Sequence, residues 1–426
     1  MKKHLLTISL LSVASMISAA AFASDIVPAA TQKQAVLLQN ATIHTAANGV
    51  IENGDMLFNN GRIVEIGQDL NSNSAKIIDL TGKHVYPGLV ALSTSLGLVE
   101  VNAVKESVDN REVGFVNPQL SPAVAYNADS EIIPTVRRNG ITYAQVIPTG
   151  NGIAGQSIVV NLDAWNIDDA LVKTGPQMNL YWPSIRWASS DPTVYKKQLE
   201  SLNKQINEVH QAFENGYRYY LSYKADHDVK GNKALASMLP LFEGKGQLYV
   251  HANKQKQIEQ AIAIARKYKF KLVIVGGYDA WRVATSLNEI GAKVIYTNVF
   301  SLPQRNDDPV DQAFKVPSLL KQAGVPFALA IKADWNTRNL PFAAGQTVSH
   351  GLSKEEALKS ITADAANILN LKDIGSLQKG YKASFIITEG DILDQASGKV
   401  EQLYIDGRKV DLNNRHNQLY QKYLKR

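Results

Sequence analysis

The chain contains no cysteine. That excludes a disulfide framework, a thiolate nucleophile and any zinc site built on sulfur. A large hydrophobic core must therefore hold the fold, and 426 residues are enough to supply one. Charge of one sign is also scarce. The formal net charge is +6, spread along the chain, which is too little to point to nucleic acid. Only one stretch is long and apolar: it starts at Leu5 behind Lys2 and Lys3 and ends in the small-residue pattern Ala21-Phe22-Ala23. It is short for a membrane span and reads as an export signal over residues 1–23, cleaved near Ala23. Its removal takes two of the 45 basic residues and no acidic one, leaving a surplus of four. The mature protein is therefore expected to be secreted or periplasmic, with no stable membrane insertion. Familiar catalytic signatures are missing too. There is no Gly-x-Ser-x-Gly elbow, so a Ser-His-Asp hydrolase is not expected. Gly150-Asn151-Gly152 with Gly155 lacks both nucleotide-binding glycine patterns and reads as a tight crossover.

What is present is a change of texture along the chain. Residues 24–34 are polar, Ala-rich and aperiodic, and read as a flexible leader. Short β-rich runs follow, with the hairpin signal Asn59-Asn60-Gly61 between Gly54-Asp55-Met56-Leu57-Phe58 and Arg62-Ile63-Val64-Glu65-Ile66. The same texture returns late, in Ala383-Ser384-Phe385-Ile386-Ile387-Thr388 and Val400-Glu401-Gln402-Leu403-Tyr404-Ile405. Residues 35–84 and 380–426 are thus expected to form one small composite β-sandwich domain.

Between them, residues 85–379 alternate helix and strand. Amphipathic stretches end at Gly140, Gly216, Gly291 and Gly324, and a β-rich run follows each at once. Glycine past a helix end takes the left-handed conformation cheaply, and a strand directly after it marks a helix feeding a parallel sheet. Asp191-Pro192 reads as a helix N-cap with Pro at the first helical position, and Ser353-Lys354-Glu355-Glu356 as a capping box. Eight strands are expected, at 85–92, 143–148, 179–183, 217–222, 247–251, 271–275, 293–296 and 326–331. The fold class is α/β: a (β/α)8 TIM-like barrel carrying the small composite domain.

In such barrels the site lies at the C-terminal strand ends. The first strand contains Pro87-Gly88-Leu89-Val90-Ala91-Leu92-Ser93-Thr94-Ser95. Further along come Arg138-Asn139-Gly140-Ile141-Thr142, Pro148-Thr149-Gly150, Gln247-Leu248-Tyr249-Val250-His251-Ala252, and Ala365-Ala366-Asn367-Ile368-Leu369 before Ile374-Gly375-Ser376-Leu377. From about Val36 to Val410 these runs resemble the amidohydrolase superfamily, in particular an imidazolonepropionase-like, secreted branch. The resemblance implies a hydrolase of carbon–nitrogen bonds with divalent metal at the strand ends.

The metal ligands that the resemblance implies are largely replaced. Ser93 and Ser95 stand where the first-strand His pair belongs, Gly276 or Gly277 where the sixth-strand His belongs, and Lys332 where the eighth-strand Asp aligns. A neutral hydroxyl is a poor zinc ligand beside imidazole. Of the eight His, only His251 falls at a predicted strand end, where the resemblance makes it a ligand. Asp334, two residues past Lys332, stays a candidate on the same strand face. His251 and Asp334 are thus the candidate catalytic residues. Ser93, Ser95, Lys332 and, from the long loop between Leu98 and Ser130, Asp109 and Glu112 are the candidate substrate contacts. Two cofactor states stay open: one weakly held divalent ion, zinc, on His251, or none. Three readings stay open as well. They are a C–N hydrolase, an inactive relative that binds a small molecule, and a partner of an active amidohydrolase. For partners, a homo-oligomer or pairing with another amidohydrolase stays open.

Overall fold

A computed structural model describes residues 26–226 and 231–426. The export signal lies outside the described residues. Among the described residues, no helix is long and apolar enough to cross a membrane.

The N-terminal β-rich region forms β1 (Val36–His44), β2 (Val50–Asn59), β3 (Arg62–Gly67), β4 (Lys76–Asp79) and β5 (His84–Pro87). The middle supplies β6 (Leu89–Thr94), β7 (Ile141–Val146), β8 (Gly152–Asn161), β9 (Leu171–Tyr181), β10 (Gln247–Ala252), β11 (Lys271–Gly276), β12 (Lys293–Tyr296) and β13 (Phe327–Leu329). The C-terminal region adds β14 (Phe385–Thr388), β15 (Val400–Ile405) and β16 (Arg408–Val410). Two sheets result. One runs β16-β15-β14-β5-β1-β2-β3, with β4 beside β1, so strands from both chain regions hydrogen-bond where β14 meets β5. Phe58, Phe385 and Tyr404 pack on one another in its core.

The second sheet runs β13-β12-β11-β10-β9-β8-β7-β6 and curls into a nearly closed barrel. Val90, Leu92, Tyr143, Tyr249, Val273, Ile295, Ala328 and Ala330 point into one buried interior cluster, so the first and last strands share a core. The seam is bridged by a bond from Val90 N–H to the Ile361 carbonyl, 2.9 Å. The predicted first strand splits at Gly88. A Cβ there would lie 2.4 Å from Thr142 Oγ1, so only glycine lets the chain leave the small sheet and enter the barrel at that spot.

Eight parallel strands were expected, and the structure corrects this. Seven are parallel, whereas β8 is antiparallel to both β7 and β9. The crossover expected at Gly150-Asn151-Gly152 instead turns the chain back into β8. The predicted strand at 217–222 lies inside a 34-residue helix, Pro192–Ala225. The start of that helix is the one expected: Asp191 Oδ1 accepts from the N–H groups of Thr193 (2.7 Å) and Val194 (3.0 Å). Its end was misread at Gly216, which does not terminate the helix but lets it pack closely. A Cβ at Gly216 would lie 3.0 Å from Met238 and 3.1 Å from Phe242. Tyr217 and Tyr220 then pack on Phe242, at the three-residue spacing of a helix face. By contrast Gly140, Gly291 and Gly324 do end helices, with φ of +90°, +61° and +72°.

Candidate active site

The parallel strands end on one face, where a cavity of about 370 Å³ opens. Tyr181 ends β9, His251 and Ala252 end β10, and Gly276 ends β11. The loops after β10, β12 and β13 add Asn253, Asn298 and Lys332, while Gly152 at the start of β8 and Phe115 from the long loop close one side. Phe115 is held there by backbone pairing with Ile153 (2.9 Å), and Asn117 N–H reaches the same residue's carbonyl (2.8 Å).

His251 is buried and stacks face to face on Tyr181, with centroids 3.9 Å apart. Its Nε2 lies 3.2 Å from Asn179 Oδ1. The Asn179 amide is oriented by its own bonds, since Nδ2 donates to the carbonyls of Gln177 (3.2 Å) and Gly155 (3.4 Å). Its oxygen therefore faces the imidazole, and an oxygen can only accept. His251 must then carry its proton on Nε2, which leaves Nδ1 as a lone-pair nitrogen. Burial first, and the Lys332 charge second, hold the imidazole well below its ordinary pKa, so it is neutral at physiological pH.

Two amides beyond it are fixed in the same way. Asn298 Nδ2 donates to Asn253 Oδ1 (2.9 Å) and to the Gly276 carbonyl (2.8 Å). Asn253 Oδ1 also accepts from Tyr278 N–H at 3.4 Å. Those bonds use the donor end of Asn298 and the acceptor end of Asn253. Asn298 Oδ1 and Asn253 Nδ2 form no further hydrogen bond among the described residues. These two lining side chains thus leave one carbonyl acceptor and one N–H donor in set orientations, the complement of an amide's own N–H and C=O.

Lys332 lines the cavity, its Nζ 5.4 Å from the Tyr181 ring centroid. The side chain is exposed, and desolvation by the protein around it lowers its pKa. It has no ion-pair or hydrogen-bond partner among the described residues.

The other predicted site residues lie elsewhere. Ser93 and Ser95 are buried and absent from the cavity wall. Ser93 has φ of +57°, takes Gln145 Oε1 on its N–H at 3.2 Å, and leaves its Oγ without a partner. Asp334 is buried outside the wall, where its carboxylate caps a short helical turn by accepting from Trp335 N–H at 2.7 Å. Asp109 and Glu112 are exposed on the long loop, with Glu112 Oε1 bonded to Val113 N–H at 3.1 Å. The structure therefore brings His251 and Lys332 together and leaves the other five outside the cavity. Tyr181 and Trp182, expected as core or pocket lining, do line the cavity, whereas Asn179, Asn253 and Asn298 were missed by sequence reasoning. Their only signal was position at or just past a strand end, and Asn carries no titratable group to draw attention.

The donor set does not fit a zinc centre. Zinc needs about three nitrogen, sulfur or carboxylate ligands. Among the described residues the wall carries one imidazole, with its Nε2 committed to Asn179, beside an ammonium that repels a cation. Among the described residues, no group of three or more His, Asp or Glu side chains is arranged to hold a metal. Gly276 shows why a sixth-strand imidazole is absent: a Cβ there would lie 2.6 Å from Asn253 Oδ1, in a backbone with φ of +108°.

Residues 253–410 match the family model of the amidohydrolase family. A 62-residue stretch is 39% identical to a D-hydantoinase of Geobacillus stearothermophilus, covering 15% of this chain and 13% of that protein. The chain thus spans a small fraction of the curated relative it matches. Among solved structures, an amidohydrolase from Thermotoga maritima superposes with a TM-score of 0.79 at 23% identity, covering 88% of this chain and 99% of that one. An adenosine deaminase from Xanthomonas campestris with bound zinc superposes with a TM-score of 0.52 at 13% identity, over 92% and 98% of the two chains. At these identities the structures show a shared fold.

Proposed function

We propose that this chain, which carries an amidohydrolase-family domain, is a hydrolase acting on the carbon–nitrogen bond of small amides, with the barrel-mouth cavity as its site. The observation that carries the proposal is the oriented Asn253–Asn298 pair beside a neutral imidazole. An amide substrate places its carbonyl oxygen on Asn253 Nδ2 and its N–H on Asn298 Oδ1. His251 Nδ1 takes a proton from a water molecule as that water attacks the carbonyl carbon. The same proton then goes to the leaving nitrogen as the C–N bond breaks. Asn179 holds the tautomer that makes Nδ1 the base. Lys332 supplies positive charge near the developing oxyanion. Every step uses groups of this chain, because the donor set does not fit a metal centre. The local similarity to a D-hydantoinase directs the first assays to cyclic amides.

A binding protein built on the same barrel is the second reading. Among the described residues no carboxylate lines the cavity, which favours it, since no acidic side chain there shares the proton transfers.

The test is hydrolysis of a panel of linear and cyclic amides, with and without added zinc. Wild-type turnover and a loss of about 10²–10⁴-fold in His251→Ala are expected. Binding of panel members without turnover in either condition would move the assignment to the binding reading.

A further inference from the structure

The chain's surplus of positive charge is small overall, but one segment concentrates it. Leu412 to Arg426 carries Arg415, Lys422, Lys425 and Arg426 and no Asp or Glu. Its helix, Arg415–Tyr423, buries no residue. The root of the helix is fixed. Arg138 Nη1 donates to the Leu412 carbonyl at 3.1 Å, and the buried Asn414 caps the first turn by accepting from Asn417 N–H at 2.8 Å. Past the root, His416 stacks on Trp335 with centroids 5.1 Å apart, and the Arg338 guanidinium lies 5.2 Å from the same indole ring. The helix is two-sided. His416, Tyr420 and Tyr423 recur at the four- and three-residue spacing of one face, and Leu424 follows beside them. Arg415, Gln418 and Lys422 recur on the other side, with Lys425 and Arg426 after them. Tyr420, Tyr423 and Leu424 are each 61% exposed. None of the four cations makes an ion pair among the described residues.

We propose that this helix, with Trp335 and Arg338 beside it, docks the protein on a bilayer surface that contains anionic phospholipid. A short helix is marginal in water by itself, and helices gain most of their stability by burying an apolar face. Here that face is left to solvent along Tyr420, Tyr423 and Leu424. Rings on one side, cations on the other and no acid between them suit a helix lying in the interfacial layer of a bilayer. Tyr and Trp favour the headgroup level, because each joins an apolar ring to one polar group. Lys and Arg reach the phosphates along their apolar stems. The rest of the chain's charge is largely screened at this distance, since the Debye length is about 8 Å at physiological salt. Nucleic acid is the competing polyanion, and it takes cations on the face that meets it. On this helix the exposed rings and the cations occupy different sides, and a bilayer engages both at one depth. The nine-residue helix is about 14 Å long, against a hydrocarbon core of about 30 Å, so it lies on the bilayer and does not cross it. None of these residues lines the barrel-mouth cavity, so the docking stands apart from any chemistry there.

The experiment is co-flotation of the protein with vesicles of two compositions. One is phosphatidylcholine alone, and the other is equal parts phosphatidylcholine and phosphatidylglycerol. The protein is used in the N-terminal form the cell leaves, and every variant shares that form, so residues 1–23 weigh equally in each comparison. Binding to the anionic vesicles should be at least about tenfold tighter and should weaken as salt rises. Each cation near a charged bilayer raises affinity about fivefold. The triple variant Lys422→Gln, Lys425→Gln, Arg426→Gln should therefore lose about 100-fold on anionic vesicles. The double variant Tyr420→Ser, Tyr423→Ser keeps every cation and should lose about tenfold. Both variants alter exposed side chains, and unfolding curves should match wild type. Tyr420→Trp reports locally: its added emission should shift to shorter wavelength on anionic vesicles. Equal binding of wild type and the folded triple variant to anionic vesicles, which includes no binding by either, would overturn the proposal. So would an unaffected double variant, since cations alone would then suffice. Tighter binding of double-stranded DNA than of anionic vesicles, with no emission shift on the vesicles, would assign the patch to nucleic acid instead.

Discussion

The two ends of this barrel handle charge in opposite ways. At the end where the parallel strands begin, charges are enclosed and matched. Asp163 accepts from Arg137 Nη1 at 2.9 Å and from the Ala29 N–H at 3.1 Å, and Arg408 reaches the same residue's carbonyl at 2.7 Å. The Tyr143 hydroxyl, buried at that end, bonds both Ser384 and Asp406, and Asp406 also takes Lys382. At the other end Lys332 has no ion-pair partner among the described residues, and burial holds His251 neutral. One end fixes the barrel to the small sheet, and the other leaves a charge without a partner among the described residues. The contrast is that of a stability face and a working face in this kind of barrel.

The largest effect should come from the matched end. Asp163→Ala strands the Arg137 guanidinium among buried groups and should cost about 3–5 kcal/mol in urea unfolding. Ligand affinity of the folded fraction should not change. A loss below about 1 kcal/mol would show that the matched cluster does not hold the barrel. Gly276→Ala should cost about 1–3 kcal/mol, because alanine must adopt φ of +108° with its methyl group 2.6 Å from Asn253 Oδ1. Unlike Asp163→Ala, it should also weaken ligand binding, because it displaces the oriented amide.

The third test uses pH and the small sheet. His44 bonds His84 at 3.1 Å and lies near Asp391, Glu52 and Lys354. Burial, then the neighbouring His84, lower its pKa from 6.5 to about 4. As pH falls from 6.5 toward 4, the unfolded chain takes up a proton that the folded chain refuses. Stability should therefore drop across that window, by about 1–2 kcal/mol once the ring's partial exposure is allowed for. Unfolding curves at pH 7 and 4.5 measure it, and His44→Phe should flatten the slope. The smallest stability effect belongs to the working face. Lys332→Met should change unfolding free energy by no more than about 0.5 kcal/mol, since no protein partner is lost. A cost above 2 kcal/mol would reveal a structural partner for Lys332 and erase the contrast between the two ends.

Much of the fold was legible because its signals are local. The Asp191 cap, the Ser353 capping box and the glycine stops at 140, 291 and 324 all stand where the sequence placed them. Each depends on residues within about four positions of one another. The failures share a different feature. Residues 217–222 are aromatic enough for a strand, yet they continue a helix because Met238 and Phe242 pack on Gly216 and its neighbours. The antiparallel turn into β8 was read as a crossover, because a glycine-rich loop does not say which way the chain leaves it. In the site, His251 and Lys332 were legible as a lone imidazole and a misplaced ammonium. Asp334 sits two residues past Lys332, but the backbone turns between them, with Ala333 at φ of +143°, so the two do not share a strand face. The alternation that predicted a shared face requires an extended chain.

The sequence by itself determined that no cysteine chemistry takes part and that strands and helices alternate through the middle. Composition and short-range spacing suffice for such statements. The tertiary structure alone decided which nitrogen of His251 carries the proton, because Asn179 stands 72 residues away in the chain. It also set the orientation of the Asn253–Asn298 pair, 45 residues apart, and it left Lys332 without a counter-charge among the described residues. Tautomer, amide orientation and unmet charge depend on which groups come within about 3 Å of each other. That is decided by how distant segments pack, and no local pattern encodes it.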